Sequence, residues 1–259
     1  MATLALASKD RERSPVCVGD RVRVEAGVII GRCERRNRLI RPAPNSRDPL
    51  FHVIAANLDR LVIVAAAKKP EFSAGIVDRF LVAASAQKIQ ALVCVNKIDL
   101  LDPGREKPWA HYAAARVTIV ETCARSGEGV DELAELLLGQ TVVFCGHSGV
   151  GKTSLLRRLL KDDGFGRVGE VNASSGKGRH MTTGAVFLPG AEGSTWIDTP
   201  GIMNFGLVDL SRGDLLSHFE ELSEAAARCG AGCGHDAELG CALRGLPRHE
   251  SYRRILGSL

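Results

Sequence analysis

The stretch Gly146-His147-Ser148-Gly149-Val150-Gly151-Lys152-Thr153 decides the fold. It follows an apolar strand pattern, Thr141 to Cys145, and precedes a helical pattern that sets Leu155, Leu156, Leu159 and Leu160 on one face. A strand, a glycine-rich loop and a helix opening on Lys-Thr are the parts of a phosphate-binding loop. Glycines let backbone N–H groups turn inward around phosphate oxygens, the lysine supplies a point charge, the Thr153 hydroxyl suits Mg²⁺, and the helix N-terminus adds donors. The nucleotide-binding candidates here are Gly146, Ser148, Gly149, Val150, Gly151, Lys152, Thr153 and Ser154, with Lys152 also a catalytic candidate.

A second motif sits upstream. Asn96-Lys97-Ile98-Asp99 follows the buried-strand pattern Ala91 to Val95. A carboxylate at Asp99 can accept from both N1–H and the exocyclic amine of guanine, a donor pair that adenine lacks; by analogy with bidentate base contacts this discriminates by about 1–3 kcal/mol. Asp99 thus favours GTP over ATP. Cys123-Ala124-Arg125, after the strand pattern Val117 to Val120, stands where GTPases carry Ser-Ala-Lys, whose backbone touches the base. In ordinary GTPases the guanine-reading motif follows the phosphate loop, whereas here it comes first. The motifs are in rotated order.

Downstream of the phosphate loop lie Thr182 and Thr183, and then Asp198-Thr199-Pro200-Gly201 at the end of the strand pattern Thr195 to Ile197. Asp198 can hold Mg²⁺ through water and the Gly201 N–H can bond a γ-phosphate, so that hydrolysis releases the chain beyond it. Either Thr182 or Thr183 offers the Mg²⁺-sensing hydroxyl, with Thr183 preferred. Rotation costs such a site little, because each motif hangs at the carboxyl end of a strand, where open α/β sheets bind ligands. Its effect is on the output, since the loop after Gly201 now runs directly into the C-terminal segment.

That segment holds Cys229, Cys233, His235 and Cys241. Three thiolates and an imidazole suit one tetrahedral Zn²⁺ with no open position, a structural rather than catalytic site. A disulfide is the competing reading, disfavoured because the chain carries no secretory signal. Cys17, Cys33, Cys94 and Cys145 fall at scattered apolar positions and read as core.

Together these motifs resemble the circularly permuted small-ribosomal-subunit-dependent GTPases, the RsgA or YjeQ family. The resemblance runs from about Val18 to the C-terminus and includes Val18-Gly19-Asp20-Arg21-Val22, Ala56-Asn57-Leu58-Asp59, Pro70-Glu71-Phe72-Ser73, Asp78-Arg79-Phe80-Leu81, Gly178-Arg179-His180 and Glu250-Ser251-Tyr252. It implies an N-terminal OB-type β-barrel (1–56), a circularly permuted P-loop GTPase domain of α/β class (57–210) and a zinc-binding helical domain (211–259). It also implies GTP/GDP as ligand, late maturation of the 30S ribosomal subunit as the task, stimulation of hydrolysis by that subunit, and contact with 16S rRNA. The chain departs from the family pattern in places. Too few residues precede Val18 for a complete barrel, Glu25-Ala26-Gly27 shortens a loop, Met181 replaces a switch threonine, three residues rather than four separate the first two zinc cysteines, and Cys123 replaces a serine.

Composition agrees. The first 56 residues hold eleven Lys and Arg against six Asp and Glu, a net of +5, whereas the whole chain carries +4. Arg32, Arg35, Arg36, Arg38 and Arg41 make that module a phosphate-tracking candidate, although only Phe51 is near for base stacking. No apolar run reaches the ~20 residues of a membrane span, which together with the missing signal predicts a cytoplasmic monomer without membrane contact. The Pro-rich stretch Pro42 to Pro49 reads as the linker from the barrel to the next domain, and the strands beyond it (Leu61 to Ala65, Ala91 to Val95, Val117 to Val120, Thr141 to Cys145, Ala185 to Leu188, Thr195 to Ile197) read as a parallel sheet with helices at Ile76 to Ala86 and Val130 to Leu138.

Two functional classes stay open on sequence: a GTP hydrolase acting on the ribosome, and a GTP-dependent RNA-binding assembly factor with vestigial hydrolysis. Ile202 occupies the place where the best-known GTPases put a water-orienting Gln. His180, beside the switch threonines, is the candidate to take over that role, so the catalytic candidates are His180, Lys152 and Thr183.

Overall fold

Strands β1 (Thr3–Leu4), β2 (Val22–Glu25) and β3 (Val28–Cys33) form an antiparallel sheet in the order β1-β3-β2. Ala26 and Gly27, both at positive φ (48° and 78°), make the tight turn between β2 and β3 that a right-twisted hairpin favours. A second antiparallel pair, β4 (Arg38–Pro42) and β5 (Phe51–Ala56), buries Ile40, Phe51 and Val53 in a small core. The computed structural model describes residues 3–4, 16–42, 51–166, 186–199, 207, 210–236 and 238–259. Among them, β1 to β5 remain two separate ladders, and a single parallel bridge from Val18 to Ala55 ties the segment before β2 to β5.

This pairing corrects one expectation. The Pro-rich stretch is not the passage between modules, because β4 and β5 on either side of it are bonded to each other from Arg38–Ala56 to Pro42–Phe51. The chain crosses instead at Asn57-Leu58-Asp59. Asn37 accepts from the Leu58 N–H and donates to its carbonyl, both at 2.8 Å, while Arg36 reaches Asp59 at 2.6 Å and Asp59 accepts from the Thr141 N–H at 2.8 Å. Burial pushes the Asp59 carboxyl up, but the Thr141 N–H and Arg36 outweigh it and hold it below its usual value.

The body is a six-stranded sheet. Strands β6 (Arg60–Ala66), β7 (Gln90–Asn96), β8 (Thr118–Glu121) and β9 (Thr141–Cys145) alternate with helices α1 (Ala74–Ala86), α2 (Val130–Leu136) and α3 (Lys152–Leu160), and β10 (Val186–Pro189) and β11 (Thr195–Asp198) complete it. The order is β10-β11-β9-β6-β7-β8. All neighbours are parallel except β10 and β11, which run antiparallel. The sheet is therefore mixed, not wholly parallel: only a short 3₁₀ turn, Ala191–Gly193, joins β10 to β11, too little chain for the crossover that parallel strands require.

Side-chain alternation on β6 explains its continuous apolar run. Leu61, Ile63 and Ala65 enter the core under α1, with Val77, Phe80 and Ala84, whereas Val62, Val64 and Ala66 enter the core under α2 and α3, with Leu133, Leu155 and Leu156. Leu39 and Ala55 of the N-terminal pair join the α1-side core, so the two modules share apolar burial. Helices α4 (Glu220–Ala226) and α5 (His249–Leu256) bury Leu222, Tyr252 and Ile255 in a third core that takes Val82 from the far side of α1.

Candidate functional site

Parallel register delivers the loops that follow β6, β7, β9 and β11 to one edge of the sheet. Gly146 leaves β9 at φ +153°, and a Cβ there would lie 2.2 Å from the Val64 carbonyl oxygen of the adjacent strand. Gly151, at φ +91°, ends the loop, and a Cβ on it would lie 2.3 Å from Asn96 Nδ2. Close approach, not only turn formation, demands these two glycines. Helix α3 opens at Lys152, with Thr153 and Ser154 in its first turn. Lys152 pairs with Asp198 at the end of β11, so the phosphate loop and the Asp198-Thr199 turn meet. Thr199 is buried and its hydroxyl donates to the Phe144 carbonyl at 2.7 Å, fixing the exit of β11 against β9.

The residues of the guanine motif do different things. Asn96 is buried: its Nδ2 donates to the Val150 carbonyl at 3.0 Å, and its Oδ1 accepts from the Ala124 N–H at 3.0 Å. Lys97 sits in the left-handed region at φ +65° and sends its ammonium to the Lys69 carbonyl at 2.5 Å and the Gly149 carbonyl at 2.6 Å. Both residues brace the phosphate loop. Asp99, in the 3₁₀ turn Ile98–Leu100, keeps its carboxylate beside Cys123, whose thiol donates to Oδ1 at 3.2 Å. Ala124, the next residue, is tied back to Asn96 by its N–H.

Two contributors escaped the motif reading. Thr122, fully buried, donates to Asn96 Oδ1 at 3.4 Å, and Arg158 on α3 reaches the loop after β8. Neither belongs to a short motif, and only folding brings them to the site. His180, Thr182, Thr183 and Gly201 lie outside the described residues.

At the other end of the chain, Cys229, Cys233, His235 and Cys241 offer ligand atoms that all lie within 4.8 Å of one another. The Cys229 and Cys241 sulfurs are 4.0 Å apart, and His235 Nδ1 is 3.8 Å from Cys241 Sγ. A disulfide needs sulfurs at about 2.05 Å. Tetrahedral zinc with Zn–S bonds of about 2.3 Å puts neighbouring ligand atoms a little under 4 Å apart, so the spacing fits the metal and not the bond. Outer contacts hold the set. The Ala242 N–H donates to Cys229 Sγ at 3.2 Å, lowering that thiol, and His249 bonds the His235 carbonyl at 2.9 Å, steadying a residue at φ +60°. Cys94, by contrast, is pushed up to about 12 by burial, and Cys145 is raised by the same cause, as core thiols should be.

A phosphate loop after β9, a guanine-type motif after β7 that precedes it in sequence, and a strand-end Asp-Thr meeting Lys152 define a P-loop GTPase with its motifs circularly permuted. Similarity to known proteins makes this particular. The RsgA GTPase family model matches residues 32–208. "Small ribosomal subunit biogenesis GTPase RsgA" of Pseudomonas aeruginosa is 40% identical over 246 residues, covering 90% of this chain and 71% of that protein, and the protein of the same name from Bacteroides fragilis is 35% identical over 90% of this chain and 78% of its own length. The crystal structure of YjeQ from Thermotoga maritima superposes with a TM-score of 0.71 at 28% identity, covering 94% of this chain and 84% of that one. YloQ, a circularly permuted GTPase, shares the fold with a TM-score of 0.68 at 23% identity, covering 98% of this chain and 83% of that one. The chain belongs to the RsgA GTPase family, and it is a GTP hydrolase.

Proposed function

We propose that this GTPase assists late maturation of the small ribosomal subunit and that the subunit stimulates its hydrolysis of GTP. The observation that carries this is the bracing of one motif by the other: Asn96 and Lys97 hold Val150 and Gly149 of the phosphate loop, which supports a preorganised nucleotide site in a chain whose relatives are named for small-subunit biogenesis. Asp99 reads guanine, with the Ala124 backbone beside the base. Gly146, Ser148, Gly149, Val150, Gly151 and Ser154 line the phosphates, and Lys152 neutralises charge at the terminal ones.

Thr153, Asp198 and Thr183 would hold Mg²⁺, with Thr182 as the alternative hydroxyl and Gly201 bonding the γ-phosphate. When bound, the ion supplies charge neutralisation on the β- and γ-oxygens. His180 orients the attacking water where Ile202 does not. One Zn²⁺ on Cys229, Cys233, His235 and Cys241 holds the C-terminal module, and the fit of the ligand spacing supports this. The division of labour follows the chain: 1–56 tracks 16S rRNA phosphates through its exposed arginines, among which Arg35, buried against Asp20 at 2.7 Å, does not count; 57–210 turns over GTP, and 211–259 carries the nucleotide state to the subunit. The protein works in the cytoplasm as a monomer.

The test is GTP turnover with and without purified 30S subunits, with pelleting in a nonhydrolysable GTP analogue against GDP. Stimulated turnover and nucleotide-dependent retention are expected. Unstimulated, barely measurable turnover with equal retention in both states would instead make the chain a constitutive RNA binder with vestigial hydrolysis. His180→Ala should cut stimulated turnover while sparing nucleotide affinity.

A further inference from the structure

A hydrogen-bonded path leads from the helix of the phosphate loop to the carboxylate of Asp99. Arg158, on α3, donates from Nε to the Ala124 carbonyl at 3.1 Å and from Nη2 to the Arg125 carbonyl at 2.8 Å. A trans peptide is planar and points its N–H opposite to its carbonyl, so fixing the Arg125 carbonyl fixes the direction of the Ser126 N–H. That N–H donates to Cys123 Sγ at 3.4 Å, and the Cys123 thiol donates onward to Asp99 Oδ1 at 3.2 Å. The loop is closed behind this path by Gly127 N–H to the Cys123 carbonyl at 2.8 Å.

We propose that Arg158 is a specificity-positioning residue: through the Arg125–Ser126 peptide and the Cys123 thiol it sets the carboxylate of Asp99 for guanine. This rests on the reading of Asp99 as the base-recognising group. The hydrogen bonds of Arg158 run to the loop after β8. Its guanidinium is exposed, but its partners are neutral carbonyls, so directional bonding and not charge attraction does the positioning, and salt screens it little. The rigid two-donor fork is what one lysine ammonium cannot reproduce. Because α3 begins at Lys152, the same helix that presents the phosphate-binding lysine also trims the base pocket, which couples the two halves of the nucleotide site.

The discriminating ligand pair is GDP and IDP, which differ only in the exocyclic amine that Asp99 accepts from. Affinities for both are measured on the full chain for wild type, Arg158→Ala, Arg158→Lys, Cys123→Ala, the Arg158→Ala/Cys123→Ala double variant and Asp99→Asn. Arg158→Ala should lower the preference for GDP over IDP by about threefold to tenfold, the worth of one net hydrogen bond, and raise KM for GTP more than it lowers kcat. Arg158→Lys should recover part of the preference. Cys123→Ala should produce a loss of the same kind, and the double variant should lose less than the two singles together, because they break one path. If Asp99→Asn abolishes the preference while Arg158→Ala leaves it intact, the positioning role is wrong. Equal loss of GDP and IDP affinity in Arg158→Ala, with a lowered melting temperature, would show a merely structural residue and also overturn it. If Asp99→Asn itself leaves the preference unchanged, the base-reading assignment fails first.

Discussion

Arg248, just before α5, donates from Nε to Asp78 Oδ1 on α1 at 2.7 Å, and the two side chains are 5% and 0% exposed. The same guanidinium bonds both oxygens of Glu221 at 3.0 and 3.1 Å and lies over the Phe219 ring at 4.6 Å. Tyr112 completes the cluster, donating to Asp78 Oδ1 at 2.9 Å, and burial together with Asp78 raises its phenol far above the usual range, keeping it a donor. The zinc-type module is thereby clamped to the GTPase body through a buried charge network. A nucleotide-dependent reorientation of that module has to break it.

Breaking it one-sidedly should be costly. Arg248→Ala leaves Asp78 buried without its cation, and loss of one partner of such a pair costs about 3–5 kcal/mol, a large share of the roughly 5–15 kcal/mol that holds a domain together. Urea unfolding should show the C-terminal module released first, and replacing Arg248 and Asp78 together by apolar residues should cost less than either single change. Equal and small effects in all three variants would contradict the clamp.

Mild acid should loosen the same interface. His111 lies against Tyr112, and His218 bonds Ser85 on α1 at 2.9 Å. Burial lowers both below the ordinary 6.5, for His111 with Arg248 adding to it and Asp78 opposing, for His218 with Asp214 opposing. Above 6.5 both are neutral folded or unfolded; as pH falls below 6.5 the unfolded chain takes up protons first, and stability declines until the lowered native values are passed. Melting temperature measured from pH 8 to pH 5 should fall, and His218→Gln should flatten part of that slope. A curve flat across this window would contradict the burial of neutral imidazoles at this interface.

Metal removal tests the C-terminal cluster. Protein purified without chelator should hold about one Zn²⁺ per chain, and stripping it should expose the third core, because metal-binding energy in so small a module is folding energy. Protease resistance and elemental analysis read this directly. Zinc-free protein with an intact C-terminal segment would remove the assignment.

Gly151→Ala probes the meeting of the two nucleotide motifs. A Cβ 2.3 Å from Asn96 Nδ2 must displace the amide that holds Val150, at a position whose φ of +91° already disfavours a side chain. Affinity for a fluorescent GDP analogue should drop by more than about tenfold, since a strained residue costs about 1–3 kcal/mol and the brace is lost as well, while circular dichroism stays native. Unchanged affinity would mean that Asn96 does not brace the loop.

What the sequence by itself determined is the chemistry whose residue types must sit at fixed spacing along one local element. Gly146 to Thr153 needs only its own strand, loop and helix to be read, Asn96 to Asp99 only a strand end, and Cys229, Cys233, His235 and Cys241 only the reach of one metal. The rotation of the motifs is a matter of order and is likewise written in the chain. The tertiary structure alone decided which partners those residues meet. Asn96 and Lys97 turn out to brace Val150 and Gly149, Arg158 reaches the Cys123 loop, and Arg248 finds Asp78, in each case across a separation that no period or spacing encodes. It also decided that the Pro-rich stretch joins two paired strands and that β10 runs antiparallel. An apolar strand looks the same in either direction, and a proline-rich connection looks the same whether it spans a hairpin or two domains; only the backbone pairing, formed when the chain closes on itself, tells them apart.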